Sequence, residues 1–329
     1  MNKVVITGAT GFVGGALAHT LTQMGHDVHV LVRPTSNRAS LQAVPVTWHV
    51  GDITKLDTLH EPFAGADWII HAAGQLGQAG ISEAAYHRIN AAGTRNVLQA
   101  AAMGTTQPRV MYISSAGVLG PIYHTDDITP DEASPLAPSN PYERSKAAAE
   151  KIALEYVEAG LPVIIVRPEF IYGPGDLHVL GLFKTIQRRL FFYIGNGRNT
   201  CHPTYIDDAV AGMLLALQTG EPGGIYHITG ARPVPFRELA ESIAHALDVP
   251  PPWLQIPKPL AYLGATGLEF IGNLTGIPVP LSRTGVAFFS ENRRSTYQRA
   301  KEELGYQPQI GLSEGVQRSV DWYRAQGLL

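Results

Sequence analysis

Cysteine is almost missing from this sequence. Cys201 is the single one in 329 residues, so neither an internal disulfide nor a cysteine-rich metal site can form. Charge is sparse as well: Asp, Glu, Lys and Arg make up 16% of the chain, against roughly a quarter in an average soluble domain. The 25 basic residues do not outnumber the 28 acidic ones. That balance supplies no positive field for nucleic acid and leaves a small-molecule substrate as the expected partner. Long apolar runs are also lacking. The most apolar late stretch, Pro259 to Ser282, is broken by Glu269, glycines and prolines, whereas a spanning helix needs about 20 mostly apolar residues. No integral membrane span is expected. The N-terminus reads as a strand entering glycines rather than a cleavable apolar segment, which with the lone cysteine points to a reducing, cytoplasmic compartment.

What is present is alternation. Apolar runs of strand length at Lys3–Thr7, Asp27–Val32, Val46–Val50, Asp67–His71, Arg109–Ser114 and Pro162–Arg167 are separated by stretches of helical period, including about 84–103 and 142–159. This pattern predicts an α/β fold, a Rossmann-type doubly wound parallel sheet covered on both faces. Beyond Pro168, Gly/Pro-rich segments break the alternation. The expected division is a nucleotide-binding domain over 1–168, rejoined by segments at about 200–230, and a smaller, irregular substrate-binding part over 169–329.

The first strand runs into Gly8-Ala9-Thr10-Gly11-Phe12-Val13-Gly14 and then a helix. Glycines at this junction let the backbone approach a pyrophosphate and aim helix N-terminal N–H groups at its charge. The spacing is Gly-x-x-Gly-x-x-Gly, not the commoner Gly-x-Gly-x-x-Gly. Further along, Tyr142 and Lys146 in Tyr142-Glu143-Arg144-Ser145-Lys146 are four apart, on one face of a helix. A phenol has a reference pKa of about 10, and a nearby ammonium favours its ionised form. The pair therefore suits proton transfer. It follows a strand ending Ile113-Ser114-Ser115-Ala116-Gly117, which offers a hydroxyl at the carboxyl edge of a sheet; adjacent strand residues face opposite ways, so one of the two serines is expected to look into the site.

In this order and at these intervals, the glycine turn, Asp52, Asn90, Ser115 and Tyr142 with Lys146 resemble the extended short-chain dehydrogenase/reductase family, within the epimerase/dehydratase superfamily. The resemblance continues through Arg167-Pro168-Glu169-Phe170-Ile171-Tyr172-Gly173-Pro174 and Tyr205-Ile206-Asp207-Asp208. It implies an NAD(P)-dependent enzyme in which Ser115 binds the substrate carbonyl, Tyr142 is the acid/base and Lys146 holds the nicotinamide ribose. It also implies that Asp52, with Ile53 beside it, meets the adenine, that Ala72-Ala73-Gly74 leaves room for the middle of the cofactor, that Asn90 supports the site from a helix, and that Pro168 lies at the nicotinamide. His71 reads as a packed supporting residue. At the end of the second strand, Arg33, with Arg38 soon after, stands where a carboxylate would repel a 2′-phosphate; a guanidinium pairs with one, so NADP(H) is preferred and NAD(H) remains possible. No metal is expected, and the resemblance implies a homodimer.

Two substrate classes compete within the family. Members that act on nucleotide-diphosphate sugars hold the second diphosphate with an asparagine where this chain has Phe170, and with an arginine shortly before the place of Tyr205. Here that stretch is Asn199-Thr200-Cys201-His202-Pro203-Thr204, with Arg198 only upstream. An aromatic ring cannot satisfy phosphate oxygens. Leu31 to Ser36 and Ser139-Asn140-Pro141-Tyr142 are instead similar to the dihydroflavonol 4-reductase and 3β-hydroxysteroid dehydrogenase-like branch, which implies a hydrophobic ketone or alcohol. Leu76, Phe170, His202 and Tyr205 are candidate substrate contacts, and Leu260–Phe270 is either pocket wall or a helix packed on the core or at a dimer interface. Arg293-Arg294 reads as a solvated turn. A sugar epimerase or dehydratase is the alternative, and an NADP(H)-binding redox sensor a third reading.

Overall fold

A computed structural model describes the chain except for Ala79, Thr105, 124–128, 276–280 and the side chains of Asn273 and Leu274. Its centre is a seven-stranded sheet. In chain order the main elements are β1 (Lys3–Thr7), α1 (Phe12–Gln23), β2 (Asp27–Val32), β3 (Thr47–Val50), β4 (Trp68–His71), α2 (Gly93–Met103), β5 (Arg109–Ile113), α3 (Pro141–Glu158), β6 (Val163–Pro168), α4 (Ile206–Thr219) and β7 (Ile225–Ile228). There follow α5 (Phe236–Leu247), α6 (Lys258–Thr275) and α7 (Leu312–Ala325). The spatial order is β7-β6-β5-β4-β1-β2-β3, and every neighbouring pair is parallel.

Alternation along the strands fills two cores. Val4, Ile6, Val28, Val30, Met111, Ile113, Ile164 and Val166 face the α1/α4 side. Val5, Leu31, Ile69, Val110, Tyr112, Val163 and Ile165 face the α2/α3 side. Since both faces are buried, the strands have no polar face, which explains the low charge content. Helix α1 ends where Gly25 takes a φ of +81° and its N–H returns to the Thr22 carbonyl, a turn that suits glycine. Strand β7 comes from beyond Pro168 and pairs with β6, Ile225 opposite Ile165.

The order reverses between β1 and β4, and in an open parallel sheet ligands bind beyond the carboxyl ends of the strands at such a switch point. The stretch expected to be one helix over about 84–103 is more complex. An α-helical turn, Glu83–Tyr86, passes into a π-helical segment, His87–Ala92, before α2. The wider turn lies at Asn90, and π segments of this kind occur frequently at functional sites.

Candidate active site

At the switch point, Thr7 of β1 lies beside His71 of β4, so the glycine turn and Ala72-Ala73-Gly74 meet. A Cβ on Gly8 would fall 2.5 Å from the Ala73 nitrogen, and one on Gly14 would fall 2.4 Å from the Gly8 carbonyl oxygen. Only hydrogen fits at either place. No side chain caps α1 at Gly11, so the first N–H groups of the helix, which starts at Phe12 and Val13, are left for a ligand at the turn. This cradle, left free of side chains, fits the pyrophosphate of a dinucleotide.

The adenosine end is framed by β2 and β3. Burial opposes ionisation of Asp52, but its carboxylate accepts from the Thr54 N–H at 2.9 Å and hydroxyl at 2.8 Å, and with the charge of Arg33 these hold it below its usual range. Arg33 is exposed at the end of β2, whereas the Arg38 guanidinium lies 5.2 Å from the centre of the Trp48 ring. Ile53 is buried against α2, where Asn96 donates to its carbonyl at 2.8 Å.

A buried polar chain supports the middle of the site. Thr94 donates to the Asn90 carbonyl at 2.5 Å, so it accepts from His71 Nε2–H at 2.9 Å, and His71 Nδ1 accepts from Thr7 at 2.8 Å. Burial, then the charge of Lys146, pull the His71 imidazole down to about 3, keeping it neutral. With both nitrogens engaged, His71 is a supporting group. The Asn90 amide donates to the Gln75 carbonyl at 3.0 Å and the Ser145 hydroxyl at 2.9 Å and accepts from the Gln75 N–H at 2.7 Å. Ser145 in turn donates to the Tyr142 carbonyl at 2.6 Å. Asn90 thus ties the loop after β4 to the helix carrying Tyr142.

Ser115 caps the short helical turn after β5 by accepting from the Gly117 N–H at 3.1 Å, while Ser114 is buried. Helix α3 begins at Pro141 with Asn140 as its cap, accepting from the Glu143 N–H at 3.0 Å. That fixes Tyr142 in the first turn, its ring edge-on to Tyr86 at 6.1 Å. Burial pushes the phenol up to about 12, against the facing Ser115 hydroxyl, which pulls it down. The lowering expected from Lys146 is not what dominates: its Nζ donates to the Ile113 carbonyl at 2.6 Å and sits over the Tyr112 ring. Burial lowers that ammonium to about 8, with Glu150 opposing.

Strand β6 runs beside β5, with the Ser114 N–H donating to the Val166 carbonyl at 2.8 Å. Ser115 and Pro168 therefore leave the sheet side by side. Two residues on, the Phe170 ring stacks on Tyr172 and meets Phe288 edge-on at 5.5 Å. Leu76 is exposed on the loop after β4. His202 and Tyr205, by contrast, are interior: His202 Nε2 donates to the Gly230 carbonyl at 2.9 Å, and Tyr205 packs against Tyr172. On α6, Ala261 and Ala265 face inward to Ile194 and Val286, while Leu260, Leu263 and Phe270 point outward.

Three residues near the site escaped the sequence reading. Arg293 is not a solvated turn: its side chain is 18% exposed and donates to Glu143 at 2.6 Å and Glu291 at 3.2 Å. Glu143 lies inside the Tyr-to-Lys motif without a role that spacing reveals. Burial pushes the Glu169 carboxyl up to about 7, against a hydrogen bond from Ser295 at 2.8 Å and the charge of Arg293. The Ser295–Glu169 and Arg293–Glu143 contacts join residues 126 and 150 positions apart, so no local pattern marks them.

Comparison with known proteins shows the family and the fold. Residues 4–229 match the model of the NAD dependent epimerase/dehydratase family. The chain is 30% identical to the 4-hydroxy-2-methyl-3-oxo-4-farnesyl-3,4-dihydroquinoline-1-oxide ketoreductase of Stigmatella aurantiaca, over 95% of this chain and 94% of that one. It is also 30% identical to the 2-alkyl-3-oxoalkanoate reductase of Stenotrophomonas maltophilia (strain K279a), over 96% and 98%. Among solved structures, DesIV, a dTDP-glucose 4,6-dehydratase from Streptomyces venezuelae with NAD bound, superposes with a TM-score of 0.81 at 27% identity, covering 98% and 97%.

Proposed function

The chain belongs to the NAD dependent epimerase/dehydratase family, and from that premise we propose that it is an NADP(H)-dependent reductase of a ketone or aldehyde on a mostly apolar small molecule. One observation carries the reading: at the end of β5 the Ser115 hydroxyl faces Tyr142 and Lys146 reaches the Ile113 carbonyl, while the adjacent β6 leads into the aromatic ring of Phe170 packed on Tyr172 and Phe288. Aromatic carbon at that place suits an apolar substrate and leaves a diphosphate unpaired.

The roles follow from the groups present. The Ser115 hydroxyl donates a hydrogen bond to the substrate carbonyl oxygen. Tyr142, held as the neutral phenol at physiological pH, gives that oxygen its proton as the carbonyl is reduced. Lys146 binds the ribose and brings positive charge beside the phenol in the working complex. Gly8, Gly11 and Gly14 receive the pyrophosphate, Asp52 the adenine and Arg33 the 2′-phosphate. When bound, the nicotinamide supplies the hydride. Two reductases to which the chain is similar act, by their names, on a 3-oxo-4-farnesyl-dihydroquinoline-1-oxide and on 2-alkyl-3-oxoalkanoates, ketones that carry a farnesyl or an alkyl chain. The reading also includes a reducing cytoplasm, which suits a single buried cysteine, and a homodimer, which the family resemblance implies.

The test is a screen of purified protein with NADPH against 2-alkyl-3-oxoalkanoates, flavonoid-like and steroid-like ketones and nucleotide sugars. Stoichiometric NADPH oxidation with a ketone, abolished in Tyr142→Phe while the cofactor still binds, is the expected outcome. The likeness to a dTDP-glucose 4,6-dehydratase favours a second reading, and conversion of a nucleotide sugar without net NADPH use would establish it instead.

A further inference from the structure

A strap near the C-terminal end, residues 291–296, joins the parts of the site. The Asn292 carbonyl accepts from the Ile122 N–H at 2.9 Å, its side-chain oxygen accepts from the Thr200 N–H at 2.9 Å, and the Arg293 N–H donates to the Thr200 carbonyl at 2.9 Å. From this pinned backbone, Arg293 Nη1 reaches Glu143 Oε1 at 2.6 Å, 150 positions away, while Nη2 reaches Glu291 at 3.2 Å and the Ser139 hydroxyl at 3.5 Å. The other Glu143 oxygen accepts from the Ser139 N–H at 2.7 Å and hydroxyl at 2.8 Å. The Glu143 side chain is only 4% exposed, and a Cβ on Gly117 would lie 3.2 Å from the Ser115 hydroxyl and 3.6 Å from Glu143 Oε1, so the carboxylate borders the hydroxyl that faces Tyr142.

We propose that Arg293 is a positioning residue for the reaction: it neutralises the buried carboxylate of Glu143 and so sets the charge environment in which Tyr142 exchanges its proton. The inference rests on the assignment of Tyr142 above. A buried carboxylate without a cation is costly, and a carboxylate beside a phenol disfavours the phenolate. Glu143 acts on Tyr142 in that sense. The other groups around the phenol are Ser115, Tyr86 and Tyr112, while the Lys146 Nζ is engaged with the Ile113 carbonyl over the Tyr112 ring. Around the ion pair stand Glu291, Glu169, Tyr123 and Arg144. Among these, Arg293 alone both contacts Glu143 and comes from the strap, so the substrate-side region sets the charge beside the phenol.

The charge signature separates this role from a merely structural one. In cofactor-free protein carrying 13Cζ-labelled tyrosine, with the Tyr142 signal assigned through Tyr142→Phe, the phenolate fraction at pH 11 is compared among variants. Arg293→Met lowers the fraction about threefold, Glu143→Gln raises it by a similar factor and the double variant returns to the wild-type value, a shift of about half a pH unit each way for one partly screened charge. Equal fractions in all four proteins, or both single variants moving the same way, would overturn the proposal. If Arg293→Met does not fold, Glu143→Gln decides, since an unchanged fraction there is equally fatal. Retained turnover in Tyr142→Phe would instead remove the catalytic assignment of Tyr142 and leave the titration result standing.

Discussion

The side-chain amide of Asn90 donates to the hydroxyl of Ser145 at 2.9 Å, across 55 positions of sequence and between two helices. Through Ser145 it reaches the backbone of Tyr142, and through its other two hydrogen bonds it holds Gln75. Asn90→Leu, which keeps the volume and removes every polar atom, strands the Gln75 N–H and carbonyl. A loss of about 2–4 kcal/mol is expected in urea denaturation. A loss below about 0.5 kcal/mol would show that the loop after β4 does not depend on this amide.

Gly8→Ala places a methyl against the Ala73 backbone at a φ of +75°. Its three nearest atoms, Ala73 N, Ala72 C and Ala73 Cα, are all main chain, so relief requires β1 and β4 to separate. The expected result is a stability loss of about 2 kcal/mol or more together with lost dinucleotide binding, read by calorimetry and by cofactor fluorescence. A variant that binds NADPH like the wild type would refute the close approach.

Arg33→Asp replaces an exposed guanidinium at the end of β2 by a carboxylate. NADPH affinity should fall at least about tenfold more than NADH affinity, since a charge-assisted pair is replaced by repulsion. Equal losses for the two cofactors, measured by titration calorimetry, would dismiss the 2′-phosphate role.

Glu169 gives a pH dependence of stability. Its carboxyl rises from an ordinary 4.5 to about 7 on folding because it is buried. Between those values the native state binds more protons than the unfolded one, so this group's contribution to stability falls as pH rises from 4.5 to 7. Glu169→Gln, which cannot ionise, should melt above the wild type at pH 8, with a gap on the order of 2 kcal/mol that closes towards pH 4.5. A gap that is the same at both pH values would exclude ionisation of Glu169 as its source.

The sheet was readable because each of its signals is local. Strands β1 and β2 fall at their expected limits, β3, β4 and β5 are each one residue shorter at one end and β6 is shifted by one residue, because apolar runs do not mark where pairing stops; β7 was not legible as a strand. The helix over about 84–103 was legible as a helix but not as one with a π-helical segment at Asn90, since apolar period does not register one extra residue in a turn. Leu260 to Phe270 read as apolar without showing that its alanines face inward and its larger side chains outward.

By itself the sequence determined the parallel sheet, the glycine cradle and the order of Ser115, Tyr142 and Lys146, because each depends on residue type and on spacing within one turn or one strand. Tertiary structure alone decided the electrostatics: that burial raises the Tyr142 phenol rather than a nearby ammonium lowering it, that Lys146 bonds to the Ile113 carbonyl, and that Glu143 meets Arg293. Those outcomes depend on desolvation and on distances between groups up to 150 positions apart, which exist only once the chain has closed on itself.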